Sequence, residues 1–450
     1  MHVRRLLLSA LVLAAASCRE EGYSRPPPLD QFTFPTGVGL TRLPSGDRAL
    51  IVVSSNMDLL YDPVNGGTLI SAAWDPATEV LGRLGVVQIP SFGGPVVVAD
   101  ADTCPGLATP LALVASRRSA ELVRAEVAAD GGLVCGPDCL VDPGPGVTDP
   151  FGLGLACRGD RRLAFVGFLD TQVVSNVRYG FASQVDLDTG EVVSLGLATA
   201  PYDFAYDAER DRLWITELAP EGAPESKPVS APVQALELSS LGDPEQPGSY
   251  EQHTYDLWPK LRGAEPRGIA LSHAQPGLGR RAYVAVRVYD ADLANSIGVR
   301  PSYDIGAVLM VLDLEDGPFG IPSLDLIRTV PLGLGASQVR VLPPRPGLRD
   351  LVAITSTTEG LLTIYDDEAG AIAKVFALAQ TGQGPENPGG APLGTPLVGK
   401  QPFGIAVDAQ GGRDWIYVGA FESAVVTAVS LDPADPSGAT LEWRRGEVEP

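Results

Sequence analysis

Histidine, lysine and methionine are scarce in this chain, and the shortage removes several chemistries. Of three histidines, His2 lies at the extreme N-terminus, which leaves His253 and His273. Neither has a histidine two to four positions away, so the paired imidazoles of a metal site are missing. His253 falls in an expected outer strand, QHTYDLW, and His273 in a polar turn after GIALS; both read as surface histidines. There is no C-x-x-C-H for a c-type haem, no G-x-S-x-G nucleophile elbow and no phosphate-cradling P-loop. Beyond the N-terminus no stretch approaches the roughly 20 apolar residues of a membrane helix. No window of about 15 residues shows a helical apolar period. Lysine is rare and the formal charge is −22. An acidic surface repels phosphate backbones, so nucleic acid is excluded as a partner. Nothing calls for a cofactor or a metal.

Two acidic phrases, DFAYDAERD and VDLDTGEVV, invite a calcium reading. The second lacks the register of a calcium loop, which alternates oxygen ligands, has a turn glycine and ends on a bidentate glutamate. Asp186 to Glu191, between two β-type runs, is better read as a hairpin turn.

What the chain has in quantity is turn chemistry. Its 51 glycines and 40 prolines make up about a fifth of 450 residues, while 45% is hydrophobic. That suits a large core divided by many turns, and the length suits two or three domains or one large repeat domain.

The N-terminus reads MHVRRLLLSALVLAAAS, with Arg4 and Arg5 ahead of an apolar stretch from Leu6 to Ala16. This is the layout of a signal peptide, too short for a stable membrane span. The Ala15-Ala16-Ser17-Cys18 that follows resembles the lipobox of bacterial lipoproteins, with Ala15 where leucine is commonest. The resemblance implies that Cys18 is acylated and becomes the first mature residue. Arg19 in place of aspartate favours the outer membrane. Loss of residues 1–17 removes two arginines and no acid, bringing the charge to about −24. The expected organisation is a signal peptide over 1–17, a flexible proline-rich tether over 18–30 and one folded domain over 31–450.

Four further cysteines, Cys104, Cys135, Cys139 and Cys157, form an even set in an exported chain and suggest two disulfides. Three pairings are possible. Cys135 and Cys139 flank a GPD turn and could close locally, in which case Cys104 pairs with Cys157.

One phrase recurs through the rest of the chain. Near the C-terminus it reads PFGIAVD, a polar turn, WIYVGAF, a loop and VVTAVSLD, with TLEWRRGEV as a fourth strand. The same order starts at Pro35, Gly94, Pro150, Pro201, Pro266, Ser337 and Pro402, spaced 59, 56, 51, 65, 71 and 65 residues apart. The copy at Gly94 departs most, and the copy at Ser337 lacks the Pro-x-Gly opener. Repeats with four strands each are the mark of propeller blades, which cover their sheets by stacking around an axis. The pattern resembles the YVTN/NHL-like β-propellers, in which a blade opens P-x-G-[IV]-A-[VL] and continues to a YVTN-like strand. The resemblance runs from about Phe34 to the C-terminus and implies an all-β propeller, seven four-stranded blades in one domain. Two stacked β-sandwiches are the competing fold. Ring closure is expected from Gln31 to Phe34 completing the last blade, the alternative being TLEWRRGEV as an unaided outer strand.

In a propeller the loop entering each first strand and the loop between strands two and three open on one face. Two of the latter are long: Phe168 to Phe181 and Val288 to Ile305. Both mix residue types that anchor recognition. The candidate ligand face therefore comprises Asp170, Asn176, Arg178, Tyr179, Tyr289, Asp290, Asp292, Asn295, Arg300 and Tyr303, with Arg267, Gln401 and Phe403 rimming the central channel. No catalytic residue is assigned. The function read from these features is an exported, lipid-anchored propeller at the cell envelope, a non-catalytic binding or interaction module. It touches the membrane through its anchor and binds a protein or glycan ligand. A propeller enzyme of lyase or hydrolase type, with its site at the channel, and an envelope scaffold are the alternatives.

Overall fold

A computed structural model describes residues 25–62, 64–75, 78–144, 148–159, 161–174, 177–218, 232–238, 250–256, 264–288, 306–317, 321–377 and 400–449. These residues build seven antiparallel sheets in chain order, the blades of a β-propeller. Blade 1 holds β1 (Pro35–Arg42), β2 (Arg48–Ser54), β3 (Gly67–Asp75) and β4 (Val80–Ile89). Blade 2 holds β5 (Gly93–Ala99), β6 (Leu111–Ser116), β7 (Glu121–Val127), β8 (Leu133–Val134) and β9 (Leu140–Val141). Blade 3 holds β10 (Pro150–Arg158), β11 (Arg161–Val174), β12 (Val177–Asp186) and β13 (Val192–Leu197). Blade 4 holds β14 (Pro201–Asp207), β15 (Arg212–Glu217), β16 (Val233–Glu237) and β17 (Glu251–Tyr255). Blade 5 holds β18 (Ala264–Leu271), β19 (Arg280–Val288), β20 (Gly306–Asp316) and β21 (Pro322–Leu332). Blade 6 holds β22 (Ala336–Val341), β23 (Leu351–Ser356), β24 (Leu361–Asp366) and β25 (Ala371–Phe376). Blade 7 holds β26 (Pro402–Gln410), β27 (Arg413–Ala420), β28 (Val425–Asp432) and β29 (Asp435–Arg445). The blade count is seven, and the sandwich alternative falls.

Strand composition follows position in the blade. The second strands β6, β15 and β23 are buried along their whole length, because neighbouring blades cover both faces. The outer strand β21 is largely exposed along its middle. The core is not one mass. Seven apolar clusters each join two adjacent blades, as where Ile51 and Val53 of blade 1 meet Val96 and Val114 of blade 2. Ion pairs repeat this stitching at the hairpin end of the ring. Arg48 grips Asp408 with two bonds, of 2.5 and 2.8 Å, and Arg158 reaches Asp211 in the next blade.

The Pro-x-Gly opener has a steric cause. In every blade the pairing of first and second strands slips its register after one residue, Pro35, Gly93, Pro150, Pro201, Pro266, Ala336 or Pro402, so the expected starts at Gly94 and Ser337 fall one residue late; the bulge turns the next residue toward the axis. Where the third residue is glycine, in blades 1, 3, 5 and 7, it meets the neighbouring blade's backbone. A Cβ at Gly152 would stand 2.8 Å from the Tyr202 carbonyl oxygen, and one at Gly268 2.5 Å from that of Ser337. Only glycine allows so close an approach.

Three expectations are settled or revised. Cys104 pairs with Cys157 and Cys135 with Cys139. The first bond ties the β5–β6 loop to the end of β10 in blade 3; the second closes the loop between β8 and β9, which together replace one outer strand. Ring closure differs from the expectation. The outer strand of blade 7 is β29, paired with β28, so Gln31 to Phe34 do not complete that blade. Residues 30–32 instead clip onto the C-terminal tail, Phe32 N–H donating to Gly446 O at 2.9 Å and Val448 N–H to Asp30 O at 2.8 Å. The tail then runs beside β4, with a parallel bridge between Gly82 and Glu449. An exposed outer edge is thus covered by the tail. Third, Phe168 to Phe181 is not an open loop. β11 and β12 continue as a hairpin, with Gln172 opposite Tyr179 and Val174 opposite Val177, because the β-branched valines favour a strand ladder. The Asp186 turn is a hairpin turn: its carboxylate accepts the N–H groups of Asp188 and Thr189, and Gly190 supplies a φ of 75°.

Candidate functional site

The residue that follows Pro35, Gly93, Pro150, Pro201, Pro266, Ala336 or Pro402 points inward, so six side chains and one glycine ring the axis: Thr36, Gly94, Phe151, Tyr202, Arg267, Ser337 and Phe403. Contacts between blades that are not neighbours show that these residues meet across the centre. Phe151 of blade 3 packs edge-on against Phe403 of blade 7 with ring centroids 6.0 Å apart. The Tyr202 and Ser337 hydroxyls, from blades 4 and 6, stand 2.9 Å apart.

Above this layer, where the loops entering the first strands converge, lies a cup of about 250 Å³. Phe151 and Phe403 face it with Phe92, Phe421 and the exposed Met57. Phe421 packs on Phe34, centroids 4.9 Å apart. The polar groups at the cup are few. Arg117 is held by the Asp149 carboxylate through Nε and, at 2.9 Å, through Nη2. Gln401 donates from Nε2 to Glu422 at 2.5 Å.

The residue before each opener often has left-handed backbone, with φ of 51° at Phe34, 62° at Phe92, 61° at Asp149 and 50° at Gln401. Such values cost energy in non-glycine residues. Here they serve the fold, because the carbonyl of each accepts an N–H from the residue after the second strand, or in blade 3 from within it: Ser55, Arg117, Leu169 and Phe421 in turn.

On the opposite arc, blades 4 to 6 fill the axis with polar groups. Asp203 is buried and accepts the Ile269 N–H at 3.1 Å, with Arg340 Nη1 at 3.8 Å. Burial raises its pKa, against the pull of Arg340. Arg267 lies over the Tyr202 ring at 4.6 Å and pairs with the buried Glu265. Behind them Glu217 is wholly buried, bound by the Thr199 N–H at 2.6 Å and its hydroxyl at 2.7 Å. Burial pushes its pKa up to about 8, against the Thr199 bonds.

Of the residues chosen from sequence, Gln401 and Phe403 line the cup, and Arg267 sits one layer down in the polar arc. Asp170 and Tyr179 are exposed on the blade 3 hairpin, away from the cup, with Asp170 accepting the Thr148 hydroxyl. Arg178 is in β12, and Asn176 lies outside the described residues. Tyr289, Asp290, Asp292, Asn295, Arg300 and Tyr303 also lie outside them, as does Cys18. His253 is in β17, while His273 donates from Nε2 to the Leu342 carbonyl at 2.8 Å, depending on tautomer. The apolar wall of Phe92, Phe151, Phe421 and Met57 was not foreseen. Its signal was the middle position of the opener, which Phe151 shares with Phe403 and Arg267.

No protein-family model matches the chain, and no curated protein matches it. Among solved structures, it is similar to the dihydro-heme d1 dehydrogenase NirN in complex with DHE, with 12% identity and a TM-score of 0.47 over 92% of this chain and 66% of that one. It is similar to BBS1N in complex with ARL6DN, at 13% identity and a TM-score of 0.47, over 93% of this chain and 100% of that one. A candidate 6-phosphogluconolactonase from Bacteroides uniformis matches at 13% identity and a TM-score of 0.44, over 74% of this chain and 82% of that one. Likenesses this distant do not bear on activity, and the seven-bladed propeller rests on the sheet topology itself.

Proposed function

We propose that the chain is an exported, lipid-anchored propeller of the YVTN/NHL kind that works as a non-catalytic binding module at the cell envelope. The axial cup is its ligand-facing end and takes a bulky apolar side chain from a protein partner. The carrying observation is the cup itself, aromatic on its walls and floor at the end where the loops entering the first strands converge. A volume of about 250 Å³ is below the roughly 300–1,000 Å³ usual for metabolite sites. It suits an anchor side chain, the unit that dominates protein interfaces. Chemistry would need free titratable groups converging on the cup. Arg117 and Asp149 neutralise each other there, and Asp203 and Glu217 are buried beneath.

The reading is tested by placing a photo-crosslinking benzoylphenylalanine at Met57 in the full-length protein. A discrete envelope protein should be captured, and capture should vanish when Phe403→Asp is added. Capture indifferent to that change would sink the cup as the site. The anchor is tested separately with an alkyne fatty acid, which should label the wild type and not Cys18→Ser. Equal labelling of both would end the lipoprotein reading, as would a wild type that takes no label.

A further inference from the structure

A cavity larger than the axial cup lies at the opposite end of the ring, at the seam where blade 7 meets blade 1. It measures about 700 Å³, within the roughly 300–1,000 Å³ typical of small-molecule sites. Three of the five tryptophans of the chain, Trp74, Trp415 and Trp443, line it with Tyr417. Trp74 and Trp443 stack with centroids 4.8 Å apart, and Trp415 lies nearly parallel to Tyr417 at 6.2 Å and 15°. The rim carries Ser45, Asp47, Asp130, Gln410 and Arg413. A chain with 6% aromatic residues has therefore placed three of its five widest rings in one polar-rimmed recess.

We propose that this recess binds a neutral saccharide, one or two sugar rings in size, independently of the axial cup. Indole faces carry negative quadrupole potential and attract the C–H groups on the flat face of a pyranose, while the hydroxyls at its edge need hydrogen-bonding partners. The recess offers both. Charge selects for neutrality. Arg48 on the wall is cancelled by its bidentate pairing with Asp408. Arg413 at the rim and Arg445, whose guanidinium lies 5.5 Å from the Trp74 ring centroid, oppose an organic cation. Asp47 and Asp130 oppose an anion. A lipid chain would leave the polar rim without use.

The probes are maltose, cellobiose and N,N′-diacetylchitobiose, added to the full-length protein while tryptophan emission and calorimetric heat are followed. At least one should shift the emission and bind saturably. Gln410→Ala combined with Arg413→Ala, at the rim, should weaken it about tenfold or more with the melting temperature little changed. Trp74→Leu should weaken it as well, and Phe403→Asp in the cup should not. Three outcomes overturn the proposal: no response to any of the three sugars, sugar binding that survives the rim and Trp74 changes, or binding of choline or laurate at this recess in place of sugar.

Discussion

Two arcs of the same ring face each other across the axis, and they are built to opposite rules. Blades 7, 1, 2 and 3 present Phe403, Thr36, Gly94 and Phe151, leaving an apolar cup above them. Blades 4, 5 and 6 present Tyr202, Arg267 and Ser337, locked by the Asp203, Arg340 and Glu265 contacts. Both arcs use the same bulge at the same point of the blade. The difference lies in one position per blade, and it decides whether the arc stays open as a cup or fills itself. Buried polar networks need every partner in place, which makes the polar arc rigid and intolerant. The aromatic arc loses less when a ring is removed, because its rings are only partly buried.

The largest effect should come from the bulge that both arcs share. Gly268→Ala forces a Cβ against the Ser337 carbonyl, and Gly152→Ala one against Tyr202; each should cost about 2–4 kcal/mol, read by chemical denaturation. Equal tolerance in both would show that the inner strands can separate, and would break the common-scaffold argument.

Next, Asp203→Ala should cost about 2–4 kcal/mol, since the buried Ile269 N–H loses its acceptor and Arg340 its counter-charge. Phe403→Ala, in the other arc, should cost about 1–2 kcal/mol and abolish capture at the cup. Reversal of that order would refute the contrast between a structural and a receptive arc.

The third prediction concerns pH. Glu217 has its pKa raised from 4.5 to about 8, so the folded state keeps a proton that the unfolded chain gives up. The stability this group contributes is present below about pH 4.5 and is lost as pH rises to about 8, with a slope of at most about 1.4 kcal/mol per pH unit. Glu217→Gln should therefore raise the melting temperature relative to wild type at pH 8.5 and hardly at pH 4.5. A difference independent of pH would mean that Glu217 is ionised in its site.

The smallest effect is expected at Thr36, whose hydroxyl donates to the Gly93 carbonyl at 2.7 Å. Thr36→Val should cost about 1 kcal/mol and leave capture at the cup intact. Lost capture would mark Thr36 as a ligand contact.

Much of this was legible in the chain. The opener placed five of the seven first strands and missed two by one residue, because the glycine at its third position, which answers to a backbone contact with the next blade, is present in blades 1, 3, 5 and 7 and absent from the others. The blade 3 hairpin was misread as a loop, since Asp170, Asn176, Arg178 and Tyr179 look like recognition residues when strand pairing is unseen. The clasp of residues 30–32 on 446–448 joins the two ends of the chain, and no local pattern announces such a pairing.

By itself the sequence determined the period of the repeat, the order of strands within each blade and the even set of cysteines. These depend on neighbours along the chain: turn chemistry, apolar runs and a glycine at a fixed offset. Only the tertiary structure decided which cysteines pair, how the ring closes, and that Phe151 of blade 3 meets Phe403 of blade 7. It also decided that three tryptophans far apart in sequence share one recess. Closing the ring converts equal positions in separate repeats into neighbours around one axis, and that distance is set by stacking between blades, not by separation along the chain.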